Sequence, residues 1–545
     1  MKKKVFALLL CGLPLLMSAQ DAFDVLQMSQ TDLRGTSRFQ SMAGAFTALG
    51  GDLSTLSQNP AGIGVYRNSD LGITLGLDFN SSKAGVTTTN ETKFNVNNVG
   101  YVGAIRLDSE SVPNLNFGFT YNRVKSFNRR YMGGVANIET SMSNYIAEEF
   151  VNKLNFTDAD LYWTDNFDPY FDGRAPWAAV TTFDMPTRTD GYVGIINAFG
   201  EKMIGLYQDG VTSGFANYEV EERGHADEYN IAFGGNISNK LYFGLDFGIL
   251  DLDYRSFQSY EESLTNPYIM ADDNDLFLSE LTHDNTKADW GLYNYLHTEG
   301  TGVNFKFGLI FRPTQSLRIG AAFHTPTYYD MRDTYYVEAS LRGYQDGNLL
   351  YSADKGSNDG YDYSGNYTIK TPWRFTGGLA GVIGKSGIIS VDYEYVANET
   401  MRMGNDHGDD YPDVTDNMKA YFKPTHIIRL GGEYRANPNW SLRAGYSIKT
   451  DQVESGVDNY DYKRIATVGT NPTYQYDNTV QHITCGVGYH YKSFYADMAY
   501  VHQIRQSVYN AFAPYDDVDY DYIPNVSAKV KDNNNRISLT LGMRF

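Results

Sequence analysis

Cysteine is nearly absent from this 545-residue chain, which has two, Cys11 and Cys485. That excludes a disulfide scaffold, and no Cys pair is available for a metal or haem attachment. Proline is scarce, 16 against 52 glycines, and 44 Tyr, 30 Phe and 5 Trp are far more aromatic surface than a disordered chain carries. Positive charge is short too. Lys plus Arg is 45 against 65 Asp plus Glu, a formal charge of -20. Such a chain lacks the clustered cations that nucleic-acid phosphates need, so no nucleic-acid partner is expected. Past the first twenty residues no run of about 18 apolar residues occurs, which excludes a polytopic helical membrane protein. The mean hydropathy of -0.42 agrees. The sequence has no Gly-rich phosphate loop and no His-Glu-x-x-His, and its nine histidines are scattered. With so many loop Asp and Ser residues, chance catalytic constellations carry no weight. No enzyme, cofactor or metal is expected.

What is present begins with an address. Lys2, Lys3 and Lys4 precede an apolar stretch, Val5 to Met17, and the small residues Ser18 and Ala19 lead to Gln20. The stretch has signal-peptide length and is too short to cross a bilayer as a helix. Residues 1–20 read as a leader cleaved after Ala19 or Gln20. Leu10 before Cys11 argues against a lipoprotein site. Export leaves Cys485 as the single thiol, so stability has to come from elsewhere.

Alternation dominates the rest. Leu71, Ile73, Leu75, Leu77 and Phe79 fall on every second residue, with Gly72, Thr74, Gly76 and Asp78 between them. A period of two puts the two sets on opposite sheet faces. About fourteen such stretches follow one another to Phe545. Short turns near 109–113, 238–240, 313–316, 384–387, 436–439 and 490–493 take turns with long links at roughly 81–97, 125–226, 256–300, 325–372, 397–424, 450–479 and 502–535. Length alone would suggest three or four domains. Instead, an even strand number with all long links on one side predicts an all-β fold, a single antiparallel transmembrane barrel with periplasmic turns and external loops. Phe79, Tyr121, Phe323 and Tyr446 are expected at its outer rim, and Phe311, Tyr434, Tyr489 and Phe545 at its inner rim. The expected place is the Gram-negative cell outer membrane, crossed many times by a monomer in contact with its lipid. The terminal Phe545 resembles the recognition signal of barrel-assembly machinery, an expected partner.

The opposite face is mixed in charge. It holds Asp246, Lys306, Arg318, Arg374, Asp392, Glu394, Arg429, Glu433, Arg443, Asp497, Arg536 and Arg544. Inward charges beside low-dielectric walls must pair. They form a polar packing layer for an internal plug, or a pathway in which Arg374 or Arg429 meets a ligand carboxylate. His482 and His490 would line the same face.

Residues 21–70 lack strand alternation. Ser37 to Gly51 reads as a short helix closed by glycines, and Asp52 caps a second. Asn59-Pro60-Ala61-Gly62 then makes a turn just ahead of strand one. The small-residue helix, this turn and the fourteen-strand pattern together resemble the FadL/TodX family of outer-membrane transporters for long-chain fatty acids and aromatic hydrocarbons, with Phe311-Arg312-Pro313-Thr314 and Thr371-Pro372-Trp373-Arg374-Phe375 as further matches. The branch it looks closest to is loosely labelled hemin receptor. The resemblance implies an N-terminal hatch over 21–70, a barrel over 71–545, and passive uptake of a hydrophobic small molecule, released sideways through a gap in the wall. Asn59, Pro60, Ala61 and Gly62 would be the gating hinge, or a rigid connector. The alternative is a non-transporting barrel of the same fold, acting in secretion, surface attachment or haem binding.

The link at 125–226 is too long to be bare. Ile146, Phe150, Val151 and Leu154 fall on one side of an amphipathic helix, and Trp177, Ile195, Ile196 and Phe199 are apolar outside the barrel. They are candidates for first ligand contact, or for packing of the loop on itself. Asp272-Asp273-Asn274-Asp275 and Asp516-Asp517-Val518-Asp519 lack EF-hand spacing and read as solvated acidic loop.

Overall fold

Strands that alternate apolar and polar residues can satisfy every backbone group in lipid only by closing on one another. The computed structural model shows that closure. It describes residues 21–172, 174–183, 186–188, 191–192, 195–199, 202–271, 280–356, 363–457, 470–516 and 522–545. The leader, Asp272 to Asp275 and Asp517 to Asp519 lie outside the described residues.

Fourteen antiparallel strands cross the membrane. They are β1 (Asp70–Ala84), β2 (Thr87–Arg106), β3 (Asn114–Ser126, continued by Arg129–Ala136), β4 (Ser213–Ile237), β5 (Leu241–Thr265), β6 (Thr286–Phe311), and β7 (Leu317–His324, continued by Tyr328–Gln345). Then follow β8 (Tyr363–Lys370 and Trp373–Ile383), β9 (Gly387–Ala397, continued by Arg402–Asn405), β10 (Thr425–Arg435), β11 (Trp440–Lys449), β12 (Tyr474–Tyr491), β13 (Phe494–Asn510) and β14 (Ser527–Arg544). β1 pairs with β14 from Asp70↔Arg544 to Ala84↔Val530, and so closes the wall. Two of the breaks inside strands have a local cause in proline. Thr325-Pro326-Thr327 divides β7 and Thr371-Pro372 divides β8, since proline cannot donate to the ladder.

The alternating apolar set faces lipid. Leu71, Ile73, Leu245, Phe247, Val303 and Phe305 are all exposed on the outer wall. Phe79 and Tyr446 bound this band at one level, and Phe311, Tyr434, Tyr489 and Phe545 at the other.

The long external links differ from expectation. At 81–97 there is almost no loop: β1 and β2 run on and join at Gly85-Val86. Much of 213–228, 250–265, 286–302 and 328–345 is also strand, so the wall rises well above the lipid. Once both faces leave hydrocarbon, neither has to be apolar, and the period-two signal vanishes although the ladder continues.

The N-terminal segment fills the lumen. It contains α1 (Ala22–Met28), α2 (Ser37–Ser41), α3 (Thr55–Gln58) and a 3-10 turn, Pro60–Val65. Asp21 caps α1 through the Phe23 and Asp24 amides. Phe23 lies among Tyr421, Phe422, Tyr474 and Tyr476, with ring centroids 4.8 to 6.0 Å apart. That contact places the start of the segment in the external cap, while Ser69 lies at the other end, paired with Phe545. The segment therefore runs the length of the barrel.

Candidate functional site

The wall is cut to fit the plug. Gly431 and Gly445 face each other across β10 and β11, and the backbone of Met42 and Ala43 lies against them. Gly486 on β12 receives the Ser41 side chain. On the opposite wall Gly244 of β5 and Gly308 of β6 lie against Pro60 and Asn59. A side chain at any of these positions would occupy space the plug already holds. The Asn59 amide donates to the Thr47 carbonyl at 2.6 Å and its Oδ1 accepts from the Ala61 amide at 3.1 Å. Asn59, Pro60, Ala61 and Gly62 are all buried. The turn is thus an anchored corner between plug and wall.

Inward charges pair as their burial demands. At the periplasmic end Arg443 contacts Glu433 at 2.7 Å and Asp497 at 2.6 Å. Arg38 of the plug reaches Glu433 at 2.9 Å, and Arg544 reaches Asp70 at 3.0 Å. Arg318 donates to the Leu49 carbonyl at 2.6 Å, and Asp392 accepts from the Thr47 amide at 2.7 Å. Higher up, Asp78 holds Arg34 of the plug at 2.8 Å and Arg536 of the wall at 2.5 Å. Lys306 meets Glu228 at 2.5 Å and Asp246 at 3.4 Å. Arg34, Arg38, Arg318 and Asp392 weld plug to wall, and the other pairs join wall strand to wall strand. In the plug, Asp32 is held well below the usual carboxylate range: burial raises it, but the combined fields of Arg34, Lys125, Arg505 and Arg536 win.

Above the weld a cavity of about 190 Å³ opens between plug and wall. Met28, Leu33, Phe39, Val124, Leu250 and Tyr329 give it an apolar side. Charged residues of both signs complete the lining, among them Asp32, Glu228 and Asp477; Arg374 and Arg429 both hold Glu394, at 3.1 and 2.5 Å. Arg374 also donates to the Ser29 carbonyl of the plug at 2.7 Å, while the Arg429 Nη1 is buried without a hydrogen-bond partner. Lys449, His324 and His482 line the same space. His324 is hydrogen-bonded to the Gln58 carbonyl at 2.8 Å and His482 to the Ser447 hydroxyl at 3.0 Å. The sequence placed Arg374 and Arg429 on the lumen face; the structure brings them to one cavity and to one carboxylate. It missed Lys449 and the apolar plug residues Met28 and Leu33, which carry no periodic signal. His490 faces inward elsewhere, stacked on Tyr495 with centroids 5.7 Å apart.

The apolar loop residues do not reach this cavity. Ile146, Phe150, Val151, Trp177, Ile195 and Ile196 are buried in one external core, together with Ala22, Phe23 and Leu26 of α1. Ile146–Asn152 forms a π-helical turn, not a regular amphipathic helix, and Leu154 beyond it is exposed. Of the Phe199 side chain nothing is described. The loop packs on itself and makes a cap. Among the described residues, Asp253, His297 and Glu299 form a group with ligand atoms within 4.8 Å. Arg255 already contacts Asp253 at 3.4 Å, so the group reads as part of an ion-pair ladder on the outer wall.

A closed fourteen-strand barrel with a lipid-facing band, two aromatic girdles and a welded luminal plug is the architecture of an outer-membrane barrel. Residues 279–493 match the model of the family described as "Outer membrane protein transport protein (OMPP1/FadL/TodX)". The resemblance to that family read from the sequence therefore holds, and the chain is an outer-membrane barrel similar to a family of transport proteins, not enzymes. Three solved structures have similar folds. A FadL homologue of Pseudomonas aeruginosa shares 11% identity over 95% of this chain and 100% of that one, with a TM-score of 0.49. The toluene transporter TbuX of Ralstonia pickettii shares 13% over 94% and 99%, at 0.47. The toluene transporter TodX of Pseudomonas putida shares 11% over 95% and 100%, at 0.45. No curated protein matches the sequence.

Proposed function

We propose that the barrel takes up an amphiphile with an anionic head, of the fatty-acid kind, and releases it sideways into the bilayer. The observation that carries this reading is the mixed lining of the cavity. Apolar side chains share it with Arg374 and Arg429, the latter with an unpartnered buried nitrogen. A carboxylate suits that nitrogen, because a buried donor left unmade is costly. A neutral hydrocarbon would leave both guanidinium groups without a new partner. At about 190 Å³ the cavity lies below the roughly 300 Å³ of ordinary ligand pockets. It holds a head group, and the tail requires the plug segment Met28 to Arg34 to move. Asn59 to Gly62 serve as the fixed corner about which that movement happens. Lateral release keeps the acyl chain out of water, at about 0.8 kcal/mol for each CH₂. Phe545, exposed at the end of β14, serves assembly.

Uptake of labelled long-chain fatty acid and of labelled toluene, compared in cells with and without the gene, tests the reading. Gene-dependent entry of the fatty acid supports it. Entry of toluene alone, or of neither, removes it.

A further inference from the structure

The outer wall of β4 to β7 continues upward beyond the lipid band in an ordered series of rows. Ile249 and Val303 are the last exposed aliphatic pair. Four residues higher, Asp253 faces Glu299, which faces Arg332. Next, Arg223 faces Arg255, which faces His297. Next again, Phe257 faces Tyr295, which faces Tyr336. The ring centroids are 4.9 Å apart in the first pair and 5.8 Å in the second.

Two features here run against the rest of the molecule. In a chain of charge -20, three arginines of neighbouring strands point outward at nearly one height. The side chains of Arg223 and Arg255 are 61% and 60% exposed, although each also touches a carboxylate, Glu221 or Asp253. Arg332 is exposed and donates to Ser364 at 2.9 Å. Above them lies an aromatic row in which Tyr295 is 41% exposed. These rings are too high for hydrocarbon. Eight residues above Ile249 at about 3.3 Å each, on strands tilted by about 40°, is a height of about 20 Å. The arginine rows lie about 10 to 15 Å above the same level by the same measure.

What adjoins this surface follows from continuity with the lipid-facing wall beneath it. In an outer membrane the neighbour at that height is the head group of the outer-leaflet glycolipid, with phosphates near the hydrocarbon and sugars above. Arginine is the side chain suited to phosphate, and a ring face is suited to the C–H face of a sugar. Above the carboxylates Asp253 and Glu299, the exposed arginines and then the rings follow the order of groups on the lipid. We propose that the outer face of β4 to β7 docks a phosphorylated glycolipid, its phosphates on Arg255, Arg332 and Arg223 and a sugar on Phe257 and Tyr295.

The full-length protein is placed in phosphatidylethanolamine vesicles with equal amounts of lipid A and of lipopolysaccharide bearing its core sugars. Glycolipid retained per barrel is counted by native mass spectrometry after extraction in mild detergent. The wild type is compared with F257A/Y295A and with R255Q/R332Q, each first shown to be folded by heat-modifiable migration. The wild type should retain the core-bearing lipid at least fivefold better than lipid A. F257A/Y295A should lose that preference while keeping lipid A, and R255Q/R332Q should lose both lipids at least fivefold. A wild type without preference for the sugar-bearing lipid overturns the ring assignment whatever the variants do. Retention by R255Q/R332Q equal to the wild type overturns the phosphate assignment.

Discussion

Gly445→Ala tests whether the plug is seated on the wall backbone to backbone. A Cβ built there would stand 2.5 Å from the Met42 carbonyl carbon and 2.6 Å from the Ala43 nitrogen. Ordinary contact begins near 3.4 Å, so the plug must retreat by about 1 Å, at an overpacking cost of about 1–3 kcal/mol. The retreat also stretches the Thr484 hydroxyl bond to the Ser41 carbonyl, 2.9 Å in length, which is worth about 1 kcal/mol. The sum, about 2–4 kcal/mol, falls mainly on the seating of the plug at Ser41 to Ala43, since the wall atom also met, the Thr484 hydroxyl oxygen at 2.8 Å, is the end of a side chain that can turn. It should raise the population with a displaced plug by about 30-fold to several hundredfold. Gly377→Ala is the matched control, because a Cβ there meets nothing within 4 Å. Purified protein in liposomes loaded with a small polar dye supplies the assay. Gly445→Ala should leak markedly faster than Gly377→Ala, while both keep the same heat-modifiable migration. Equal leakage from the two variants would refute the seating argument.

Three further outcomes follow from the structure. Arg374→Gln and Arg429→Gln should each reduce gene-dependent fatty-acid uptake at least tenfold and leave entry of a neutral aromatic unchanged; parallel losses for both compounds would show a structural effect only. Glu262 is buried in the external cap, where burial raises its carboxyl above the usual range although Met142, Ser141 and Trp290 donate to it. Because the folded pKa exceeds the unfolded one, cap stability is greatest below the unfolded value near 4.5 and declines as pH climbs through the folded value. Limited proteolysis of the 137–212 loop should therefore speed up from pH 5 to pH 8 relative to an unstructured substrate, and Glu262→Gln should flatten that trend. Phe23→Ala removes a ring buried among four others, at about 3–5 kcal/mol. It should free the start of the plug from the cap, read as faster hydrogen exchange over 21–30, with exchange over 37–65 unchanged.

The lipid band was legible because lipid enforces it. Every strand found from alternate apolar residues, from Leu71–Phe79 to Ile537–Phe545, crosses the membrane in the structure. Above the band the constraint lapses. The stretch Glu219 to Asp227 is continuous strand with charge on both faces, Glu221 and Arg223 on one and Glu222 on the other, and it left no periodic trace. The luminal glycines were visible as residues but not as a bed for the plug: Gly431 and Gly445 acquire meaning only when Met42, about four hundred residues away, is laid against them. Arg374 and Arg429 were readable as inward because parity sets the face of a strand residue. That they share Glu394 depends on strand order around the barrel, which alternation cannot supply. The external apolar residues, Trp177 and Ile195 among them, turned inward on each other and on α1, since a loop this long can bury its own rings.

The path of the first segment has a consequence for biogenesis. It starts among the rings of the external cap, descends the lumen and leaves it at Ser69, one residue before the strand that seals the wall against β14. A sealed cylinder cannot readily be threaded afterwards by a helix whose Phe23 ends buried beyond the far rim. The seam between first and last strand must therefore close around a segment already in place. The salt bridges from Arg34 to Asp78 of β1 and from Arg38 to Glu433 of β10 would then gather separate strands before they zip together. In that view the plug is a mandrel on which the cylinder is wound. Deleting it should impair assembly of the barrel before it alters what passes through.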